Sequence, residues 1–129
     1  MNTPNKLMDG KKGLIMGVAN DRSLAWGIAS TLGSHGADMA FSYQGEALKK
    51  RVEPLAKSVN SNFLMECDVT NEDDMNKVFD KISNKWGKLD FLVHAIGFSD
   101  KNQLKGRYID SITRDNFLKT MDISCFSFT

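Results

Sequence analysis

The sequence predicts an α/β fold built on a doubly wound parallel sheet. Three observations predict it. Short apolar strands alternate with longer amphipathic helices along the chain. The first strand, Leu14–Met16, runs into a glycine turn that opens directly into a helix. The strands are connected through helices, which requires right-handed crossovers and puts helices on both faces of the sheet.

The elements follow in order. After the strand Leu14–Met16, the spacing predicts a helix over Leu24–Ser34, with Ser23 as N-cap and Gly36 as the stop just beyond His35. Asp38–Tyr43 is the second strand, and Gln44-Gly45 breaks it. Glu46–Val59 is helical, with Leu48, Val52, Leu55 and Ala56 at helical spacing and a bend expected at Pro54. Phe63–Cys67 is the third strand. Thr70 is expected to cap a helix over Glu72–Trp86, whose acidic first turn suits the positive end of the helix dipole. Met75, Val78, Phe79 and Ile82 form its apolar face, and Gly87 ends it. Phe91–Ala95 is the fourth strand. A polar loop is expected over Ser99–Ser111, then a helical segment over Thr113–Thr129 carrying Phe117, Leu118, Met121 and Ile123.

Composition narrows the class of function. The chain has 129 residues, 41% hydrophobic and 26% charged, which is globular in character and of single-domain size. A net charge of +1 offers no electrostatic case for nucleic acid. The cysteines, Cys67 and Cys125, make neither a disulfide framework nor a metal spacing. No apolar run approaches a membrane span, and the stretch Met1–Lys12 is polar without a signal-peptide core. A cytoplasmic protein is expected, with no membrane and no nucleic-acid partner.

The segment from Gly17 to Ala29 is the most informative. A glycine turn between a strand and a helix places backbone N–H groups where a pyrophosphate can sit. The turn is wider than the common G-x-G-x-x-G, and the hydroxyl of Ser23 stands near the helix start to supplement the backbone donors. Gly17 and Gly27 also read as simple turn and packing glycines. Gln44 closes the second strand, where a dinucleotide fold often carries an acid for the ribose; it is either a turn residue or a neutral adenosine-ribose contact. Asp68 either helps to start the following helix or accepts a bond from an adenine amino group, with the Val69 N–H donating to the ring. His94 lies inside an apolar strand and reads as a core histidine, and His35 as a helix-end cation. Tyr43 and Tyr108 are not read as catalytic acids. The methionines read as core filler. In a Rossmann-type dinucleotide fold the strand order is 3-2-1-4, and the glycine turn faces the Ile96-Gly97 turn at the switch point.

Together the segments Gly17-Val18-Ala19-Asn20, Ser23 to Ala29, Phe41-Ser42-Tyr43-Gln44, Cys67-Asp68-Val69, His94 to Phe98 and Asp122-Ile123-Ser124 resemble the NADH-dependent enoyl-[acyl-carrier-protein] reductases of bacterial type II fatty-acid synthesis. These form a divergent branch of the short-chain dehydrogenase/reductase superfamily, and the resemblance covers nearly the whole chain. It implies that Gly17, Ser23 and Leu24 hold the pyrophosphate and nicotinamide side of NADH. It places Gln44 near the adenosine ribose, Asp68 and Val69 at adenine, and Ile96 and Gly97 at the nicotinamide ribose. Ser99 falls where the family contacts the acyl substrate. Family chains often carry a serine where this one has Ala95, so a hydroxyl contact is lost there.

The implied activity is NADH-dependent reduction of a trans-2-enoyl thioester on acyl carrier protein, the last step of fatty-acid elongation, by a homotetramer. The family's chains are about twice as long, and their catalytic tyrosine and lysine follow the fourth helix. Residues 1–129 are therefore expected to be the N-terminal, cofactor-binding part of a single dinucleotide-binding domain, truncated before the later strands. No residue here is expected to be catalytic or to bind a metal, and the piece alone is expected to be inactive. A non-catalytic nucleotide-binding half-domain that pairs with another chain is the alternative. Another short-chain reductase, acting on a sugar or steroid, is disfavoured by the Ile96-Gly97-Phe98 turn.

Overall fold

The computed structural model describes residues 5–129, so the first four residues of the polar N-terminal stretch lie outside the described residues. It divides into two compact units, one ending at Ala95 and one running from Ile96 to Thr129.

The first unit holds β1 (Lys12–Met16), α1 (Leu24–Ser34), β2 (Asp38–Tyr43), α2 (Glu46–Ser58), β3 (Leu64–Glu66), α3 (Glu72–Trp86) and β4 (Phe91–His94). All pairings are parallel and the strand order is β3-β2-β1-β4, as expected for a dinucleotide fold. Ile15 is the centre of the register, opposite Phe41 on one side and Val93 on the other. β1 is buried over four consecutive residues, as a parallel strand covered on both faces must be. Each helix gives the core a pair one turn apart: Ala25 and Ala29 from α1, Val52 and Ala56 from α2, Val78 and Ile82 from α3. Ile15, Met39 and Phe41 join the α1 and α2 pairs in one cluster, in which the small alanines let α1 lie close to the sheet.

The ends of the elements show why the sequence stops them there. Gly36 has φ +94° and lets the Ala37 N–H reach back to the Leu32 carbonyl at 3.1 Å, closing α1 as expected. Gly87 closes α3 in the left-handed region, with its N–H on the Ser83 carbonyl at 2.8 Å. β3 is shorter than the expected Phe63–Cys67, yet its flanks still pair: the Phe63 carbonyl accepts from Phe41 N–H, and Cys67 N–H donates to the Tyr43 carbonyl. α2 runs through Pro54 without a break in its span.

Other expectations are corrected. The cap of α3 is Asn71, whose side chain accepts from the Asp74 N–H at 3.1 Å; the Thr70 hydroxyl is turned toward Asp68 instead. Phe79, assigned to the apolar face, is 41% exposed: it stands at the rim of the helix face on which Val78 and Ile82 are buried. His94 is half-buried on a strand that pairs on one side with β1, rather than enclosed in the core.

The second unit is also more structured than expected. The segment read as a loop contains a 3-10 turn at Lys101–Gln103 and a short helix, α4 (Tyr108–Ser111), stapled by a two-pronged contact between Arg107 and Asp110. α5 spans Arg114–Ser124 and is capped by Thr113, whose hydroxyl accepts from the Asn116 N–H at 3.2 Å. A 3-10 turn, Phe126–Phe128, follows it in place of the single helix expected to Thr129. None of the α5 residues is buried, and Phe117, Leu118 and Met121 are exposed.

Candidate functional site

In a parallel sheet all strands deliver their C-terminal turns to one edge. The turns after β1, β2 and β3 carry Gly17 to Leu24, Gln44-Gly45 and Asp68-Val69, so the predicted cofactor residues of the first unit share that edge.

Gly17 is a site of close approach. Its φ is +108°, and a Cβ there would stand 2.1 Å from the Ala95 carbonyl oxygen. That carbonyl belongs to the backbone leaving β4, where the Ala95 N–H donates to the Met16 carbonyl at 3.0 Å. Only glycine meets both demands. Gly27 is the opposite case: it lies inside α1, is exposed, and has open space where a Cβ would be.

Ser23 occupies the N-cap position of α1 but makes no side-chain cap. Its Oγ folds back into the loop and accepts from the N–H groups of Ala19 at 2.9 Å and Asn20 at 3.1 Å. Two consequences follow. Both lone pairs of the hydroxyl are taken, so Ser23 is left as a donor. Among the described residues the start of α1 has no side-chain cap, which leaves the positive end of the helix dipole open. Leu24, the first helical residue, is 84% exposed beside them.

At the end of β2, Gln44 is exposed and carries no charge. Gly45 follows at φ +81° and starts α2. Glu46, the next residue, faces Lys49 at 3.7 Å.

The turn after β3 is tightly organised. Asp68 Oδ1 accepts from the Thr70 hydroxyl at 2.7 Å and the Thr70 N–H at 2.9 Å, and these bonds hold the Asp68 carboxyl below its ordinary value. The Asp68 N–H donates to Asp74 Oδ2 at 3.0 Å, and the Asn71 N–H to the Asp68 carbonyl at 2.9 Å. Among the described residues the Val69 N–H enters none of these bonds, and Oδ2 of Asp68 is likewise uncommitted. One donor and one acceptor outside these bonds therefore stand on adjacent residues. Cys67, next to them, is buried; burial first, then the carboxylates of Asp74 and Asp68, push its thiol up to about 11.

The second unit carries the other predicted residues. Ile96 is half-buried and Gly97 exposed, with no atom nearer than Ser124 Oγ at 4.0 Å to a Cβ built on it. The Phe98 N–H donates to Ser124 Oγ at 2.9 Å, and that hydroxyl donates to the Phe98 carbonyl at 3.2 Å. Ser99 is half-buried and its Oγ accepts from Asn116 Nδ2 at 3.0 Å and Thr120 Oγ1 at 3.1 Å. Sequence reasoning missed Asn116 and Thr120. Their signal was present as polar residues one helical turn apart, Asn116, Thr120 and Ser124, on a helix whose apolar positions drew the attention.

No group of His, Cys, Asp and Glu among the described residues is arranged to hold a metal ion, and no described helix is long and apolar enough to cross a membrane. Cys67 and Cys125 are free thiols.

Comparison with known proteins gives the family and the fold. Residues 17–129 match the family model described as Enoyl-(Acyl carrier protein) reductase. The chain is 66% identical over 125 residues to enoyl-[acyl-carrier-protein] reductase [NADH] 2 of Rhizobium meliloti, covering 97% of this chain and 46% of that protein. It is 50% identical over 121 residues to the NADH enoyl-[acyl-carrier-protein] reductase FabI of Rickettsia felis, covering 94% of this chain and 46% of that one. Among solved structures it is similar to FabI from Candidatus Liberibacter asiaticus, with a TM-score of 0.93 at 54% identity, over 97% of this chain and 48% of that chain. The reductase from Anaplasma phagocytophilum, solved in complex with NAD, gives 0.91 at 51% identity, over 99% and 48%. The chain thus spans about half the length of the curated relatives it matches.

Proposed function

The chain belongs to the enoyl-(acyl carrier protein) reductase family, and on that premise we propose that it forms the cofactor-binding part of an enzyme that reduces a trans-2-enoyl thioester with NADH. The observation that carries the reading is the Gly17 turn. A glycine that no other residue can replace stands at the C-terminal end of β1, ahead of a helix whose first-turn N–H groups have no side-chain cap.

The groups on the sheet edge fit a dinucleotide. The Ser23 hydroxyl, with both lone pairs spent, donates to a pyrophosphate oxygen beside the α1 amides, and Leu24 packs apolar surface against the cofactor. Gln44 lies by the adenosine ribose. Asp68 Oδ2 accepts from the adenine amino group while the Val69 N–H donates to the ring. Ile96 and Gly97 line the nicotinamide ribose, and Ser99 meets the acyl substrate. The chemistry supplied at this site is a hydride from NADH to the β-carbon of the thioester. The chain's own residues bind, orient and exclude; none is assigned a catalytic role. Residues 1–129 are read as the N-terminal part of one dinucleotide-binding domain, which by itself binds cofactor without turnover. The substrate is an enoyl thioester on acyl carrier protein, and the full-length protein is a cytoplasmic homotetramer.

NADH is favoured over NADPH because Gln44-Gly45-Glu46 offers no arginine to a 2′-phosphate, and Glu46 repels one. Titration of the full-length protein with both cofactors, with crotonyl thioester reduction followed alongside, tests the reading. Tighter NADH binding and NADH-dependent turnover are expected. NADPH binding as tight as NADH removes the cofactor assignment, and absence of enoyl reduction removes the activity.

A further inference from the structure

We propose, resting on the reading of the chain as an enoyl-thioester reductase with the acyl group at Ser99, that a cleft next to that residue binds the pantetheine arm on which the thioester is carried. The cleft has a volume of about 360 Å³, inside the range of about 300–1,000 Å³ in which small ligands are held. It lies wholly within the second unit, between the segment that starts at Phe98 and the first turns of α5. It adjoins Ser99 directly. Phe98 and Asp100, which flank Ser99 in the chain, line it, and so does Asn116, whose Nδ2 donates to Ser99 Oγ at 3.0 Å.

The bonds already made fix what the cleft has left to offer. The Thr113 N–H donates to Gln103 Oε1 at 3.2 Å, and a backbone N–H can only donate, so the amide oxygen is the atom facing Thr113. The Thr113 hydroxyl accepts from the Asn116 N–H at 3.2 Å and gives its own proton to the same Gln103 oxygen at 3.1 Å. That oxygen is spent, and Gln103 Nε2 keeps its protons. Asp100 commits Oδ1 to the Asn102 N–H at 2.9 Å, which leaves Oδ2 as an acceptor. Asp115 and Lys119 enter no ion pair among the described residues. The Lys119 ammonium stands 5.0 Å from the centre of the Phe98 ring, which is 42% exposed. The cleft thus combines donors on Gln103 and Lys119, acceptors on Asp100 and Asp115, and one apolar ring. A charged ligand of either sign meets a like charge here. A neutral chain of secondary amides joined by methylenes finds a partner for each of its groups, and the pantetheine arm is such a chain.

Two short substrates separate the arm from the acyl group. Crotonyl pantetheine and crotonyl N-acetylcysteamine present the same thioester, but the second lacks the distal part of the arm. The readout, in the full-length protein, is the ratio of their kcat/KM values, which cancels any loss of folded enzyme. Wild type should favour the pantetheine ester. Gln103→Glu keeps an oxygen for Thr113 and removes the donor, and Lys119→Met keeps the stem and removes the ammonium. Each should lower the ratio about three- to tenfold, the range of one hydrogen bond. Crotonyl thioesters of coenzyme A and of acyl carrier protein share the arm and should both lose in the same sense. A loss confined to the carrier-protein thioester assigns these residues to a protein contact and overturns the proposal. An unchanged ratio in either variant, or a wild type indifferent to the arm, also overturns it and leaves the enoyl reductase reading intact. Wild-type protein that reduces none of these thioesters overturns both.

Discussion

Replacing Gly17 by alanine should cost the fold a large part of its stability. The added Cβ would stand 2.1 Å from the Ala95 carbonyl oxygen, 2.6 Å from its carbon and 3.3 Å from its Cα. Ordinary carbon contacts begin near 3.5 Å, so the overlap exceeds an ångström, and the obstacle is backbone that cannot rotate away. Relief requires the ends of β1 and β4 to part, which strains the bond from the Ala95 N–H to the Met16 carbonyl. A forced insertion into packed structure costs about 1–3 kcal/mol. Holding a side chain at φ +108° adds about 1–3 kcal/mol. The sum, about 2–6 kcal/mol, compares with a typical total of about 5–15 kcal/mol. With a urea dependence of about 2 kcal/mol per molar, the unfolding midpoint should fall by roughly 1–3 M. Gly27→Ala is the control. It meets open space inside a helix, so it should gain about 0.5–1 kcal/mol. Urea unfolding of both variants decides the matter. A Gly17→Ala midpoint within about 0.3 M of wild type, against that scale, would refute the reasoning.

Three further outcomes are expected. Cys67 is buried with its thiol pushed up to about 11, whereas Cys125 is exposed, so an aromatic disulfide reagent near neutral pH should titrate one thiol in the native protein and the second only after unfolding; rapid native labelling of Cys67 would count against the packing. Asp68 is held below its ordinary value by Thr70, so its carboxylate contributes stability above the unfolded value of about 3.9 and loses it as the pH falls through the lower folded value. Thr70→Val should raise the Asp68 midpoint in a carboxyl NMR titration and move acid unfolding to higher pH, and an unchanged midpoint contradicts the assigned cause. β4 pairs on one side with β1 and its residues are half-buried, so the 129-residue chain by itself should self-associate in light scattering; a monodisperse, cooperatively melting monomer shows that the edge is protected.

Much of this protein was legible without coordinates, and the reason is locality. Strands and helices announced themselves through periods that any short window contains, so the spans of α1, β2 and α3 agree with expectation. The terminating glycines Gly36 and Gly87 follow from backbone sterics alone. The parallel order β3-β2-β1-β4 followed from strands linked through helices together with the glycine turn. The candidate residues Gly17, Ser23, Gln44 and Asp68 were legible for the same reason, because each closes or opens an element. Tertiary structure alone decided what depends on partners distant in sequence. Gly17 is obligatory because of Ala95, which lies beyond three intervening helices. The Ser23 hydroxyl turns to Ala19 and Asn20, and Thr70 to Asp68, because a hydroxyl near a helix start has several acceptors and donors in reach and the loop path selects among them. Phe79 lies outside the core because it stands at the rim of the helix face whose centre is Val78 and Ile82, and where that face ends is set by packing. The bonds from Asn116 and Thr120 to Ser99 join residues 17 and 21 positions apart. Helical periodicity places the two donors on one side of α5, but only the folded path of the chain brings Ser99 to them.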